Sequence, residues 1–270
     1  MNRWTDAPAC MEIGNVTSGY GDLQVLRGVS LVLRTGTIEA VLGRNGVGKT
    51  TLLSTLAGLI PTWEGTVTLE GDDITREPAY TRARLGLGLV QEGKRVFHGL
   101  TVFQNLMIGC FHRNLSQRER RAECAKLIEQ FPVLQGRENQ RAGSLSGGQQ
   151  QMLSIAQALA GKPRVLLLDE PAAGLAPSIV EALFRHVADL RDGGQTILLV
   201  EQLAEQALAI ADHVTVMDNG EIIRAGLPAE FADRTRLEEA YFGVSGTSEP
   251  APAEPAPAKP DFQATEENPP

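Results

Sequence analysis

The stretch that decides the fold reads Gly43-Arg44-Asn45-Gly46-Val47-Gly48-Lys49-Thr50. It matches the pattern G-x-x-x-x-G-K-[ST] at every fixed position, in which a glycine-rich loop wraps its backbone N–H groups around phosphates. An apolar strand over 38–42 precedes the loop, and a helical stretch over 48–59 follows and directs its N-terminus at the anion. The sequence therefore predicts a P-loop in which Lys49 reaches the β- and γ-phosphates and Thr50 binds Mg²⁺, and the phosphate-binding set extends to Thr51.

A second motif is an apolar strand over 164–168 that ends in two acids, Asp169 and Glu170. A parallel strand covered on both faces is almost purely apolar, and ligands sit at its carboxyl end. This placement predicts that Asp169 holds Mg²⁺ through water, and that Glu170 orients or deprotonates the water that attacks the γ-phosphate. The alternative is an acidic pair that merely begins a loop, which the accompanying P-loop disfavours.

A third motif lies between these two and reads Leu145-Ser146-Gly147-Gly148-Gln149. A polar, glycine-rich turn before the helical run 150–160 creates another helix N-terminus, and so another anion site. One nucleotide rarely needs two phosphate sites from one chain, so the second would serve the nucleotide of another subunit. The motif then predicts a dimer, whereas its composition alone would also suit a flexible loop.

The remaining pattern is one of alternating strands and helices. It predicts an α/β fold with a mainly parallel sheet covered on both faces and a helical segment inserted over 101–160. Strands are expected at 11–17, 29–34, 38–42, 66–69, 87–90, 164–168, 196–200, 214–217 and 222–225. Further helices are expected at 178–191, 203–211 and 228–242.

Composition narrows the class of protein further. The chain has 270 residues with a net charge of −8, which disfavours nucleic acid as a partner. No apolar stretch approaches the roughly 20 residues needed to span a bilayer, and no secretory signal is visible. The three cysteines lack metal or disulfide spacing, which favours a reducing cytosol. The tail 245–270 holds seven of the 15 prolines and is expected to be disordered.

The order of P-loop, LSGGQ motif and acid-tipped strand resembles the ATP-binding subunits of ABC transporters, from residue 11 to about 242. Within this family the chain is most similar to the smaller ATPase of branched-chain amino-acid importers, through QEGKRVF at 91–97, GLAP at 174–177 and LVEQ at 199–202. The ATPases of urea and amide importers share these traits.

The resemblance implies a P-loop NTPase with an N-terminal antiparallel β-subdomain and an inserted helical subdomain. The ATPase domain would cover 11–244, with its core at 11–95 and 161–244, its helical subdomain at about 96–160, and the tail at 245–270.

The resemblance also implies roles for individual residues. Tyr20 would stack on adenine, although a core or turn tyrosine is an alternative. The side chains and N–H groups that would contact the γ-phosphate held by a partner subunit are Ser146, Gly147, Gly148 and Gln149. The loop over 90–97 would place Gln91 or Glu92 at Mg²⁺.

Three positions depart from the usual family pattern. Glu92 stands where glutamine is usual, and residues 176–177 replace an aspartate that contacts the other subunit. Gln202 stands at the switch position usually held by histidine. Glutamine can hydrogen-bond a γ-phosphate but cannot carry a proton at neutral pH.

The implied function is hydrolysis of ATP, with Mg²⁺, to power uptake of branched-chain amino acids. Partners would be a second ATPase subunit, identical or different, membrane permeases and, indirectly, a substrate-binding protein. The chain would sit peripherally on the cytoplasmic face of the inner membrane, with the loop over 93–98 and the helix from Thr101 against the permease. The alternatives are the same role in a urea or short-chain amide importer, and a non-transport ABC ATPase.

Overall fold

The fold is described by a computed structural model, which covers residues 3–93 and 95–231. Its strands are β1 (Ala9–Tyr20), β2 (Leu23–Arg34), β3 (Ile38–Leu42), β4 (Thr62–Leu69), β5 (Asp72–Asp73), β6 (Leu87–Val90), β7 (Val165–Asp169), β8 (Thr196–Glu201), β9 (His213–Asp218) and β10 (Glu221–Gly226). Its α-helices are α1 (Arg3–Asp6), α2 (Lys49–Leu56), α3 (Ala79–Leu85), α4 (Val102–Gly109), α5 (Gln117–Gln130), α6 (Gly147–Leu159), α7 (Pro177–Asp192) and α8 (Ala204–Ile210).

The core sheet has the strand order β10-β9-β3-β8-β7-β6. The strands from β9 to β6 are parallel, and β10 is added antiparallel to β9 at the edge. Successive side chains of β7 enter two separate cores: Leu166 and Leu168 pack with the helices after β6, and Val165 and Leu167 pack with α2 and the second sheet. Burial on both faces explains why these strands are uninterrupted apolar runs.

The second sheet is antiparallel, with strand order β2-β1-β4-β5. Its strands are longer than the sequence predicted because they continue through glycines such as Gly19 in β1 and Gly28 in β2. Register shifts in the β1–β2 pairing absorb these residues, and Gly28 takes a φ of +66° that an L side chain would adopt only with strain. The two sheets and the helices inserted between β6 and β7 confirm the predicted fold class.

The inserted helices α4, α5 and α6 pack around one apolar centre that includes Leu106, Phe131 and Leu153. The carboxylate of Glu123 on α5 accepts from Lys162 at 2.8 Å and Arg113 at 3.2 Å. The Lys162 ammonium is the largest cause that lowers the pKa of Glu123 to about 2. Because Lys162 lies in the short connection from α6 to β7, this ion pair joins α5 to the entry of the core sheet.

No helix within residues 3–93 or 95–231 combines the length and the apolar character that a membrane span requires.

Three elements were absent from the sequence-based expectations. Ordered structure already begins at α1, before the expected start at residue 11, and its Trp4 ring stacks on His213 with centroids 4.3 Å apart. Neither the two-residue strand β5 nor helix α3 has an apolar period to indicate it. The expected last helix, 228–242, is a 3₁₀ turn over Pro228–Phe231; its remainder lies outside the described residues.

Helix α3 instead contributes a buried cation to the core. Arg82 is 2% exposed, and its guanidinium donates to the carbonyl oxygens of Thr55 and Leu56 at 2.8 Å, of Thr75 at 2.7 Å and of Glu77 at 2.8 Å. Two of these acceptors lie in the last turn of α2, where the helix dipole favours a positive charge. Burial lowers the pKa of Arg82.

Replacing Arg82 with alanine is expected to lower the free energy of unfolding by about 3 kcal/mol or more, since it leaves buried carbonyl groups without donors. Urea denaturation of the full chain would measure this loss. The matched control is Arg84→Ala on the exposed side of the same helix, expected to change stability by no more than about 0.5 kcal/mol. Similar losses in both variants would contradict a special role for the Arg82 hydrogen bonds.

Candidate functional site

The P-loop joins the carboxyl end of β3 to the first turn of α2. Gly46 and Gly48 have φ of +83° and +110°, which explains glycine at both positions. A Cβ on Gly48 would lie 3.3 Å from Val25 and Leu26 of β2, so the antiparallel sheet closes against the loop. Gly48 is the N-cap of α2 and brings no side chain to it, so the first turn of the helix is open to an anion.

Lys49 is 4% exposed and organises this loop. Its Nζ donates to the carbonyl oxygens of Gly43 at 2.8 Å and Arg44 at 3.0 Å, and lies 3.1 Å from Oε1 of Glu170. The Lys49 ammonium group thus contacts both the P-loop and Glu170 at the end of β7. A group that neutralises phosphates bound between the loop and the strand would occupy this position.

The hydroxyl of Thr50 donates to Oδ1 of Asp169 at 3.1 Å. Asp169 is 2% exposed, and burial raises the pKa of its carboxyl to about 6, with the Glu170 and Glu92 charges acting in the same direction and Thr50 and Lys49 opposing it. A hydroxyl beside carboxylate oxygens is a donor set that suits Mg²⁺, which prefers hard oxygen ligands. The residues present therefore fit this ion, with Thr50 and Asp169 able to hold it directly or through water.

Glu170 follows Asp169 at the end of β7 and has a φ of +41°, a conformation that non-glycine residues rarely adopt. Its backbone N–H donates to the carbonyl oxygen of Val200 at 2.9 Å, which fixes the strained position against β8. Its side chain is 15% exposed. The backbone of Glu170 is therefore held against β8 while its carboxylate is partly open to solvent. A group that acts on a water molecule requires this access.

A cavity of about 530 Å³ opens beside Glu170 and is also lined by Asn45, Glu92, Glu201 and Gln202. Of the two candidates in the loop after β6, Glu92 lines this cavity, whereas Gln91 is half-buried beside it. The exposed Gln202 follows β8 and faces the same space. The structure thus brings together the P-loop, both acids and the switch position.

Glu201 is a buried acid of this site for which the sequence predicted no role. It is the last residue of β8, is 2% exposed, and accepts from the backbone N–H groups of Ala172 at 3.1 Å, Gln202 at 3.1 Å and Leu203 at 3.4 Å. Burial raises the pKa of its carboxyl, and the three N–H groups oppose that shift. The sequence did hold a signal for Glu201, since β8 is an apolar run that ends in an acid, as β7 is.

The signature motif forms the start of α6, as the glycine-rich turn predicted. Ser146 is the exposed N-cap; its hydroxyl accepts from the N–H of Gln149 at 3.4 Å, and the Gln149 side chain accepts from the N–H of Ser146 at 2.9 Å. Gly148 packs so closely on Ile179 of α7 that a Cβ would come within 2.5 Å of it. The motif is a preformed helix N-terminus that faces outward.

Tyr20 ends β1 and is 50% exposed. Tyr20 pairs with Leu23 across the turn to β2, and Leu23 is 67% exposed. The exposed side chain excludes a core tyrosine, whereas the place of Tyr20 before the β1–β2 turn fits both a turn residue and a ring available for stacking.

These contacts are the ones expected of the phosphate-binding centre of a P-loop nucleotide hydrolase. The family model described as "ABC transporter" matches residues 26–173. The chain belongs to this family and is an ATP-binding, ATP-hydrolysing subunit, as the resemblance predicted.

Curated relatives and a solved structure agree with this assignment. The chain is 41% identical to the high-affinity branched-chain amino acid transport ATP-binding protein BraG of Pseudomonas aeruginosa, over 86% of this chain and 99% of that protein. It is 37% identical to the probable branched-chain amino acid transport ATP-binding protein LivF of Archaeoglobus fulgidus, over 85% and 97%. It is 33% identical to the lipopolysaccharide export system ATP-binding protein LptB of Escherichia coli, over 87% and 98%.

A crystal structure of an ATP-binding cassette of an ABC transporter, in its ADP conformation, matches with a TM-score of 0.75 and 28% identity. The match covers 87% of this chain and 99% of that chain.

Proposed function

We propose that this chain hydrolyses ATP to drive uptake of branched-chain amino acids through membrane permeases. The observation that carries the cargo assignment is the 41% identity to BraG over nearly the whole length of that protein. The 33% identity to a lipopolysaccharide exporter subunit is lower over a similar span. The identity to LivF, at 37%, supports the same cargo class.

The working unit that we propose is a head-to-tail dimer of ATPase subunits. The outward-facing α6 N-terminus supports it, because a helix N-terminus is a ready anion site. Among the described contacts, the side chains of Ser146 and Gln149 accept from each other's backbone N–H groups and tie to no other element. In the closed dimer this motif would contact the γ-phosphate held on the partner's P-loop. ATP would then act by binding the closed state better than the open one.

In each composite site we propose the following division of roles. Lys49 and the P-loop N–H groups would bind the phosphates, and Tyr20 would stack on adenine. Glu170 would orient the attacking water and accept its proton, while Gln202 would hydrogen-bond the γ-phosphate. Mg²⁺ at Thr50 and Asp169, with Glu92 or Gln91 beside it, would neutralise phosphate charge.

The permease would dock on the face that carries the loop after β6. Asn105 of α4 is fully buried, accepts from the N–H of Phe97 at 2.8 Å and donates to its carbonyl oxygen at 3.1 Å. This clamp fixes the loop to the helical part while the Phe97 ring stays 50% exposed. An exposed aromatic ring on this loop and the adjoining α4 would provide an apolar contact for a membrane partner on the cytoplasmic side.

The test of the cargo is uptake of labelled leucine, and separately of labelled urea, by cells with and without this chain. Loss of leucine uptake alone, restored by the wild-type chain but not by a Glu170→Gln chain, is the expected result. Loss of urea uptake alone would assign the chain to a urea or amide importer. If neither uptake changed, the cargo proposal would be wrong, and the membrane proteins that copurify with the chain would be identified next.

A further inference from the structure

The carboxylate of Glu201 hydrogen-bonds to two loops, and the proposed hydrolysis of ATP requires these loops to keep a fixed relative position. Its Oε1 accepts from Ala172 N, two residues after Glu170, at 3.1 Å, and its Oε2 accepts from the N–H groups of Gln202 and Leu203 at 3.1 and 3.4 Å. One oxygen of this side chain therefore holds the segment after Glu170, and the other oxygen holds the segment that begins at Gln202.

Burial of the Glu201 carboxylate costs free energy of folding. A carboxylate that is 2% exposed loses most of its hydration, and that loss is recovered only through hydrogen bonds or a nearby cation. Its hydrogen-bond donors in the described chain are backbone N–H groups, which a neutral side chain with a single acceptor oxygen could not satisfy together. The negative charge of Glu170 acts on Glu201 as well, which adds to the cost.

The loops are also tied through the strand itself. Val200 precedes Glu201 on β8, and its carbonyl oxygen accepts from the N–H of Glu170. The end of β8 thus fixes the backbone on both sides of Pro171: Glu170 through a carbonyl group and Ala172 through a carboxylate. Glu170, Glu201 and Gln202 all line the same cavity of about 530 Å³.

We propose that Glu201 is a positioning residue for ATP hydrolysis, which sets the Glu170 carboxylate and the Gln202 amide at fixed places around the γ-phosphate by bonding both of their loops. It acts through these two residues and not on the phosphate. The proposal rests on their proposed roles in hydrolysis and is independent of the transported cargo.

The test uses the full chain with Glu201→Gln. Glutamine keeps the volume, but its NH₂ group would face an N–H donor, so one of the two loops loses its anchor. The kcat for ATP hydrolysis is expected to fall about tenfold or more, while the KM for ATP stays within about twofold because the P-loop contacts are untouched. Trapping of nucleotide with orthovanadate, which mimics the transition state, should fall with kcat.

The matched control is Glu221→Gln, an exposed acid on the edge strand β10, which should keep wild-type kcat. Glu201→Asp keeps two acceptor oxygens on a shorter side chain and should recover part of the lost kcat; it also carries the test if the glutamine variant is not obtained folded. Wild-type kcat in Glu201→Gln, or an equal loss of kcat and ATP affinity, would overturn the proposal. Glu170→Gln, measured in parallel, distinguishes failure of the positioning role of Glu201 from failure of the proposed function. If Glu170→Gln stays active, the role proposed for Glu170 is itself wrong.

Discussion

Replacing Glu170 with glutamine is expected to slow ATP hydrolysis by the full chain about a thousandfold, because the group that we propose accepts a proton from the attacking water is lost. The change is sterically small. The backbone at this residue is fixed by its strained φ of +41° and by its bond to Val200 at 2.9 Å, so the glutamine should occupy the same position. A large loss of rate would then report the missing base and not a displaced loop.

ATP binding by this variant should persist or improve. In this chain Oε1 of Glu170 lies 3.1 Å from Nζ of Lys49, so the carboxylate competes with the phosphates for that ammonium group. Removing the negative charge lifts the competition and also lessens the repulsion of ATP. The ATP-bound dimer should therefore accumulate in the variant instead of turning over.

Phosphate release and ATP-dependent change in molecular mass are the two measurements. Glu205→Gln, an exposed acid in the first turn of α8, serves as the control and should behave as wild type in both. A Glu170→Gln chain that hydrolyses ATP within tenfold of the wild-type rate would remove Glu170 from its proposed role. Loss of ATP binding in this variant would instead mean that the Lys49 contact shapes the P-loop.

The elements that the sequence predicted best are the strands whose side chains are almost all buried. Strands β3 and β6 match their expected bounds, β7 is shifted by one residue at both ends, and β8 is one residue longer than expected. The agreement arises because these runs are apolar and packed against other layers of the fold. The strand–loop–helix context of the P-loop likewise lies within a short stretch of chain. Local patterns of this kind can be found without knowing what packs against them.

The features that the sequence did not predict depend on partners distant in the chain. Helix α3 turns a charged residue, Arg82, toward the core, which inverts the usual apolar pattern; its acceptors include Thr55 and Leu56 of another helix. The Lys49–Glu170 pair and the bonds of Glu201 arise because β3, β8 and β7 are adjacent in the sheet. Motif spacing alone gives neither this adjacency nor the direction of a buried polar side chain.

Replacing Lys49 with alanine is expected to raise the Kd for ATP about a hundredfold or more. The variant loses the cation that we propose binds the phosphates, and it also loses the hydrogen bonds to Gly43 and Arg44 that hold the loop around Lys49. Glu170 and Asp169 would remain without this positive neighbour, so the site would repel ATP. Both effects act in the same direction.

Thermal or urea unfolding with and without ATP measures this loss. At an ATP concentration of 100 Kd the wild-type chain gains about 2.7 kcal/mol of stability, whereas a variant with hundredfold weaker binding gains about 0.4 kcal/mol at that concentration. The control is Lys126→Ala, a lysine whose side chain is 73% exposed on α5 and which should keep the full ATP-induced gain. An undiminished gain in Lys49→Ala would contradict the phosphate-binding role.

The double variant Lys49→Ala/Glu170→Gln separates the two causes of lost affinity. If repulsion by the unpaired carboxylate contributes, removing its charge should restore part of the binding, and the effects of the two substitutions will not add. If only the direct lysine–phosphate contact counts, Glu170→Gln should change the affinity equally in both backgrounds. The 3.1 Å separation of Nζ and Oε1 favours non-additivity, since residues in contact are those whose substitutions couple.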